Sequence, residues 1–269
     1  MTTMINSELS PKFFNPYARL FGLLLEAHWI KLGIQQTHIA AKIGMAPAYL
    51  SQKKLADRFF SLGELLRVSR VLGVNCATLF DQMESLCTRL YQQKVRIPGW
   101  RATQMEEANS STQLASSIAA KYPHKDKPIS VGFVACGIMA ASRNTEMNVW
   151  AELKISEASW RYKNYGENSL FLFDLINFEW RTGVSLSSLF QRLDEVCLDL
   201  SFNSSPVQGW IYTKDEDRMG DDQRVAQTLA YLLPSRGWLQ GPLHPRDLGF
   251  GFPYKKTKKW SAINQVGEK

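Results

Sequence analysis

Residues 35–54, QQTHIAAKIGMAPAYLSQKK, carry two short helical patterns separated by a glycine, and this break constrains the chain more than any other feature of it. Gln35 to Ile43 places Ile39, Ala40 and Ile43 on one face, Gly44 closes that run, and a second begins near Pro47 and continues to about Leu55. Pro47 suits a first helical position, because its fixed φ is already helical and its missing N–H would have had no intrahelical partner. Two short helices joined by a tight turn hold the second away from its own core, so that one of its faces stays open to a partner.

The flanking sequence is helical too. Tyr17 to Leu32 repeats Leu20, Leu24 or Leu25, Ala27, Trp29 and Leu32 at helical spacing, and Gly33 stands where such a helix ends. SLGELLRVSRVLG opens with Ser61 and Glu64 in capping-box spacing and closes at Gly73. Asn75 caps a fifth pattern, CATLFDQMESLCTRLYQQK, which is longer than a compact five-helix unit needs.

Residues 17–80 as a whole resemble the five-helix DNA-binding domain of the Cro and phage-repressor family. The matching positions are Gln36 at the start of the second helix, Ile39 and Ala40 inside it, Gly44 in the turn, Tyr49 and Leu50 in the third helix, and then LLRVSRVLGVNCATLF. The resemblance implies that Gln36 bonds a phosphate, that Pro47, Ala48, Ser51 and Gln52 face base edges in the major groove of double-stranded DNA, and that Lys53 and Lys54 lie towards the backbone. Tyr49, Leu50, Ile39 and Ile43 read as core. Two departures stand out: Ala46 replaces the usual Ser or Thr before the third helix, and the loop LADRFF, which includes Arg58, lacks the usual Gly.

Charge agrees with that implication. Residues 1–97 hold 12 Lys+Arg against 6 Asp+Glu, a net of +6; residues 98–245 hold 14 against 17, a net of −3; residues 246–269 hold 6 against 2, a net of +4. The first third is thus the part suited to a polyanion, with the tail FPYKKTKKW as an accessory or merely a soluble end.

The expected architecture is an all-α five-helix helix-turn-helix domain followed by a larger α+β domain. Residues 1–16 form an extension, 17–97 the DNA-binding domain, 98–127 a Ser-, Ala- and charge-rich linker with one helix near Gln113 to Lys121, 128–254 the α+β domain, and 255–269 the basic tail. In the α+β part, ISVGFVACG, NVWAELKIS and ASWRYKNYG read as strands, and Gly209 to Thr213 as a further one; the apolar residues of SLFLFDLINFEW fit either a buried strand or a buried helix, and the strand is preferred. LSSLFQRLDEVCLDL after Ser185 and the segment from Asp222 to Leu233 read as helices.

No phosphate-binding glycine loop, zinc-protease helix or nucleophile elbow occurs, and no Gly-Asp-Ser-Met pattern of self-cleaving repressors, so neither an enzyme nor a cofactor is expected. The cysteines Cys76, Cys87, Cys136 and Cys197 lack paired spacing, and the acidic run KDEDRMGDD lacks the ligand pattern of a calcium loop. With no long apolar span and no secretory signal, a cytoplasmic protein without a membrane partner is expected. The reading is a sequence-specific transcription regulator, a homodimer or higher homo-oligomer on paired half-sites, whose second domain senses a small molecule, self-associates or docks a protein such as RNA polymerase. The alternative is an antitoxin-like protein that neutralises a protein partner.

Overall fold

A computed structural model describes residues 15–102, 110–124, 126–142, 149, 157–163, 170–203, 205–214, 221–235 and 237–239. The first third folds as five helices: α1 (Pro16–Lys31), α2 (Gln36–Lys42), α3 (Pro47–Lys54), α4 (Leu62–Leu72) and α5 (Cys76–Gln92). Their ends follow local chemistry. Asn15 caps α1 through the Ala18 N–H, and Pro16 occupies its first turn. The Glu64 N–H donates to Ser61 Oγ at 3.3 Å while Glu64 Oε2 accepts the Ser61 N–H at 2.7 Å, closing the capping box of α4. Asn75 Oδ1 accepts the Thr78 N–H at the start of α5. Gly44, at φ +70, makes the turn out of α2, where the Met45 N–H returns to Ala40 O at 2.8 Å.

Beyond residue 102 the described chain continues as α6 (Ser111–Lys121), a short strand β1 (Ile129–Ser130), α7 (Val131–Ala141), α8 (Glu157–Lys163), α9 (Leu172–Thr182), α10 (Leu186–Phe202), a strand β2 (Val207–Gln208) and α11 (Asp221–Leu232). Two 3-10 turns follow, at Leu233–Ser235 and Gly237–Leu239. β1 and β2 pair in parallel over two residues each.

The chain is therefore mostly helical, and the expected strand-rich character of residues 128–254 is corrected. ISVGFVACG becomes β1 and the first two turns of α7, because Ser130 Oγ accepts the Phe133 N–H and starts a helix that is buried almost all round. ASWRYKNYG enters α8, whose exposed Arg161 pairs with Glu157 one turn away at 2.7 Å. SLFLFDLINFEW forms α9, started by Asp174 Oδ2 accepting the Phe171 N–H and ended by Gly183 at φ +81. Gly209 to Thr213 runs unpaired after β2. NVWAELKIS lies outside the described residues except Val149, which is buried.

The boundary expected at 98–127 does not divide two cores. Buried residues from Tyr17 to Trp238 form one continuous cluster. α10 packs along α5, α6 and α7, which accounts for the length of α5, and α11 packs on α1. The stripe from Leu186 to Leu200 is thus interior, buried among helices of its own chain. The described ends of the expected linker are tied into the fold: the Trp100 indole N–H bonds Glu84 Oε2 at 2.8 Å, and Ser111 and Thr112 on α6 bond Asp199 Oδ2. An antiparallel bridge joins the halves again, with the Leu62 N–H donating to Leu170 O and the Leu172 N–H to Phe60 O, both at 2.7 Å. At the centre the Phe80 ring is stacked between Phe21, 4.9 Å away, and Phe190, 5.1 Å away. Phe80→Ala removes contacts to both rings and is expected to lower unfolding stability by about 3–5 kcal/mol, measured by urea unfolding followed by circular dichroism.

Candidate nucleic-acid interface

α3 sits on α1 at a glycine. A Cβ on Gly22 would lie 2.1 Å from Lys54 O, so only a residue without a side chain lets the C-terminal end of α3 approach this closely. Arg19 Nη1 donates to the same Lys54 carbonyl at 3.2 Å. Leu50 is fully buried beneath α3, while Pro47, Ala48 and Tyr49 are exposed and Ser51 and Gln52 are half-buried. The seat on α1 thus turns one face of α3 to solvent.

Four of the expected base-facing residues, Pro47, Ala48, Ser51 and Gln52, lie on this one helix. Gln36, at the first position of α2, is joined to them: its Nε2 donates to Ser51 Oγ at 2.6 Å and reaches Pro47 O at 3.5 Å. Neither α2 nor α3 has a side-chain cap, and Ala46 at the start of α3 supplies none. Gln52 Oε1 is buried and has no hydrogen-bond partner among the described residues. After α3 the chain turns at Ala56, which takes the left-handed φ of +58 that a glycine would adopt without strain.

The two lysines differ from expectation. Lys53 is buried, with Nζ bonded to Phe59 O at 2.7 Å and Glu64 Oε2 at 2.8 Å, so it ties α3 to the capping box of α4 and is turned inward. Lys54 Nζ pairs with Glu26 on α1 at 2.7 Å and lies over the Trp29 ring. Both charges are spent inside the first third. Near α3 the exposed cations are Lys42 and Arg58, the latter stacked 4.5 Å over the ring of Tyr49. Tyr49, expected in the core, is 45% exposed. Arg19 is half-buried, and burial lowers its pKa from the ordinary arginine range, opposed by Glu26 and Asp57.

The other candidates scatter. His28 is buried, its Nε2 2.8 Å from Gln82 Oε1, and His38 is exposed. The four cysteines are buried and unbridged, and burial raises all four thiol pKa values, that of Cys76 to about 12. Of the aromatics, Trp210 bonds Asp194 Oδ1, Tyr162 is exposed, and Trp150 and Tyr165 lie outside the described residues. So do Asp215, Glu216 and Asp217 and the tail 255–269, while Asp221 and Asp222 open α11. Among the described residues no cluster of His, Cys, Asp and Glu is arranged to hold a metal, and no helix is long and apolar enough to cross a membrane.

One buried acid was missed by sequence reasoning. Glu179 on α9 is 4% exposed, and its Oε1 accepts the Leu186 N–H at 2.9 Å, capping α10 from outside. Burial pushes its carboxyl up to about 8; the Leu186 bond opposes this, the charge of Glu84 adds to it, and a hydrogen bond with Tyr17 opposes it. Burial, followed by the charge of Glu179, raises the Tyr17 pKa well above its ordinary value.

No family model, curated protein or solved structure matches the chain.

Two outcomes follow from this geometry. Lys53→Ala removes the cation shared by Glu64 and the Phe59 carbonyl, leaving Glu64 only its Ser61 N–H among the described residues, and is expected to cost about 3 kcal/mol in urea unfolding. A loss under about 0.5 kcal/mol would mark an exposed pair instead. For Glu179 the folded carboxyl keeps its proton from about pH 4.5 to about 8 while the unfolded chain has released it, so stability falls as pH rises through that window. The slope is at most about 1.4 kcal/mol per pH unit for one such group. Urea midpoints between pH 5 and 9 should drop in the native chain and flatten in Glu179→Gln; parallel curves would mean that Glu179 is ionised throughout.

Proposed function

We propose that the chain is a sequence-specific DNA-binding transcription regulator that uses α2 and α3 as a helix-turn-helix. The observation that carries this reading is the seating of α3: Gly22 and Leu50 fix its inner side, Pro47 and Ala48 are left exposed on the outer side, and Ser51 and Gln52 stand half-buried at its edge, with Ser51 braced from α2 by Gln36. Such a helix is short, rigidly held and open along one face, which is what insertion into a major groove requires.

The chemistry of the face fits base edges. A Gln amide pairs with adenine N6 and N7, a Ser hydroxyl with several bases, and the carbons of Pro and Ala rest on a thymine methyl, so sites containing A·T pairs are favoured. Phosphate contacts fall to the exposed Arg58 and Lys42 rather than to the internally paired Lys53. One module of this size buries too little surface for tight specific binding at cellular salt, so the working form is a homodimer on two half-sites about one helical turn apart.

Selection of randomised duplexes by the full chain, followed by binding titrations over a range of salt, tests the reading. Gln52→Ala is expected to cost about 1–3 kcal/mol on the selected site and to relax preference at one base pair. Arg58→Gln and Lys42→Gln are expected to weaken all sequences alike and reduce the salt slope by about one unit each. The absence of any enriched sequence, or a G-rich consensus indifferent to Gln52, would refute it.

A further inference from the structure

A cavity of about 370 Å³ opens between the C-terminal half of α5 and the end of the described chain, at α11 and the 3-10 turns after it. That volume falls in the range of small-molecule sites. Its origin is a mismatch of side-chain size. α11 turns Ala226 and Ala230, one helical turn apart, towards the same space that α5 lines with Leu86 and Leu90, and two methyl groups do not fill what two larger side chains would.

The lining is divided by depth. Leu86, Leu90, Leu229 and Trp238 are buried, at 4%, 8%, 4% and 3% exposure, and form an apolar floor. Arg89 and Gln93 are exposed and stand at the rim, so the polar groups are gathered where solvent enters. Among the described residues no carboxylate lines the cavity and none pairs with the Arg89 guanidinium. A neutral apolar ligand would leave that cation without use, and a dianion would offer more charge than one guanidinium matches. A floor of aliphatic and indole carbon beneath a single cation complements a molecule with one carboxylate on an apolar body.

We propose that this cavity binds an amphipathic monocarboxylate such as a medium-chain fatty acid, with the acyl chain against Leu86, Leu90, Leu229 and Trp238 and the carboxylate on Arg89, assisted by the Gln93 amide. The site is independent of α3 and of the DNA-binding reading. It takes apolar surface out of water at the floor and keeps the charge hydrated at the rim, so neither end of the ligand is buried unpaired.

Isothermal titration of the full chain with decanoate and, in parallel, with decanol tests the assignment. Decanoate is expected to bind saturably at one site per chain, and decanol roughly tenfold more weakly, since a charge-assisted bond is worth about one such factor. Arg89→Met should remove that tenfold advantage and leave decanol unchanged. Ala230→Trp, at an exposed position that tolerates bulk, should abolish both while circular dichroism and the unfolding midpoint stay native. Absence of saturable heat, equal affinity for acid and alcohol, decanoate affinity unchanged in Arg89→Met, or binding that survives Ala230→Trp would each overturn it.

Discussion

The stack of Phe21, Phe80 and Phe190 is the contact on which the rest of the arrangement depends. Its three rings come from α1, α5 and α10, so a single aromatic column joins the first third of the chain to the part beyond residue 127. Phe80 and Phe190 are both about 2% exposed, and a ring held between two others fixes the spacing and rotation of its helix as well as its burial. With that column in place, α10 has no freedom to swing away as the centre of a separate domain. The buried cluster is continuous from Tyr17 to Trp238 for the same reason.

On this frame α3 is positioned by a backbone approach and two ion pairs, and the competition for its charges decides what its surface can do. Gly22 lets the end of α3 come down on α1, Lys54 reaches Glu26, and Lys53 reaches Glu64, which also closes the start of α4. A lysine that is 7% exposed gains far more from a carboxylate and a carbonyl nearby than from a screened phosphate outside. The net charge of +6 over residues 1–97 therefore overstates what α3 itself presents. Positive potential on this side comes from Lys42, at the end of α2, and from Arg58, held over Tyr49 beyond the end of α3.

Where the sequence was legible, the deciding signals were local. Ser61 with Glu64, Asn75, Ser185, Gly44 and Gly73 act within a few residues, and the helices they bound stand within about two residues of expectation. The misreadings came from segments whose apolar residues are buried on nearly every side. α7 has no polar stripe to reveal a period of 3.6, and in α9 the polar residues Asp174, Asn177 and Glu179 are themselves buried among Leu, Ile and Phe, so β-branched and aromatic content pointed to strands. Of the α3 face, Pro47, Ala48, Ser51 and Gln52 were implied by the resemblance to the repressor family rather than by any spacing of the residues, and the inward turn of Lys53 and the outward turn of Tyr49 depend on Glu64 and on the seat at Gly22, which no local pattern encodes.

Several helix starts of this fold are completed at long range, and that ties the halves together as firmly as the core does. The bridge from Phe60 to Leu172 and from Leu170 to Leu62 joins the N-terminal ends of α4 and α9, each of which holds a carboxylate over its own first N–H and a lysine on that carboxylate: Glu64 with Lys53, and Asp174 with Lys163. α10 begins likewise, with Leu186 on Glu179. The carboxylates of Glu64 and Asp174 act within their own first turns, and the bridge adds the contact from the other half of the chain. α1 then lies between α3 on one side and α11 on the other, so the seat of α3 and the cavity walls of α11 rest on the same helix. The placement of α3 and the packing of α11 are therefore both set by the one helix α1.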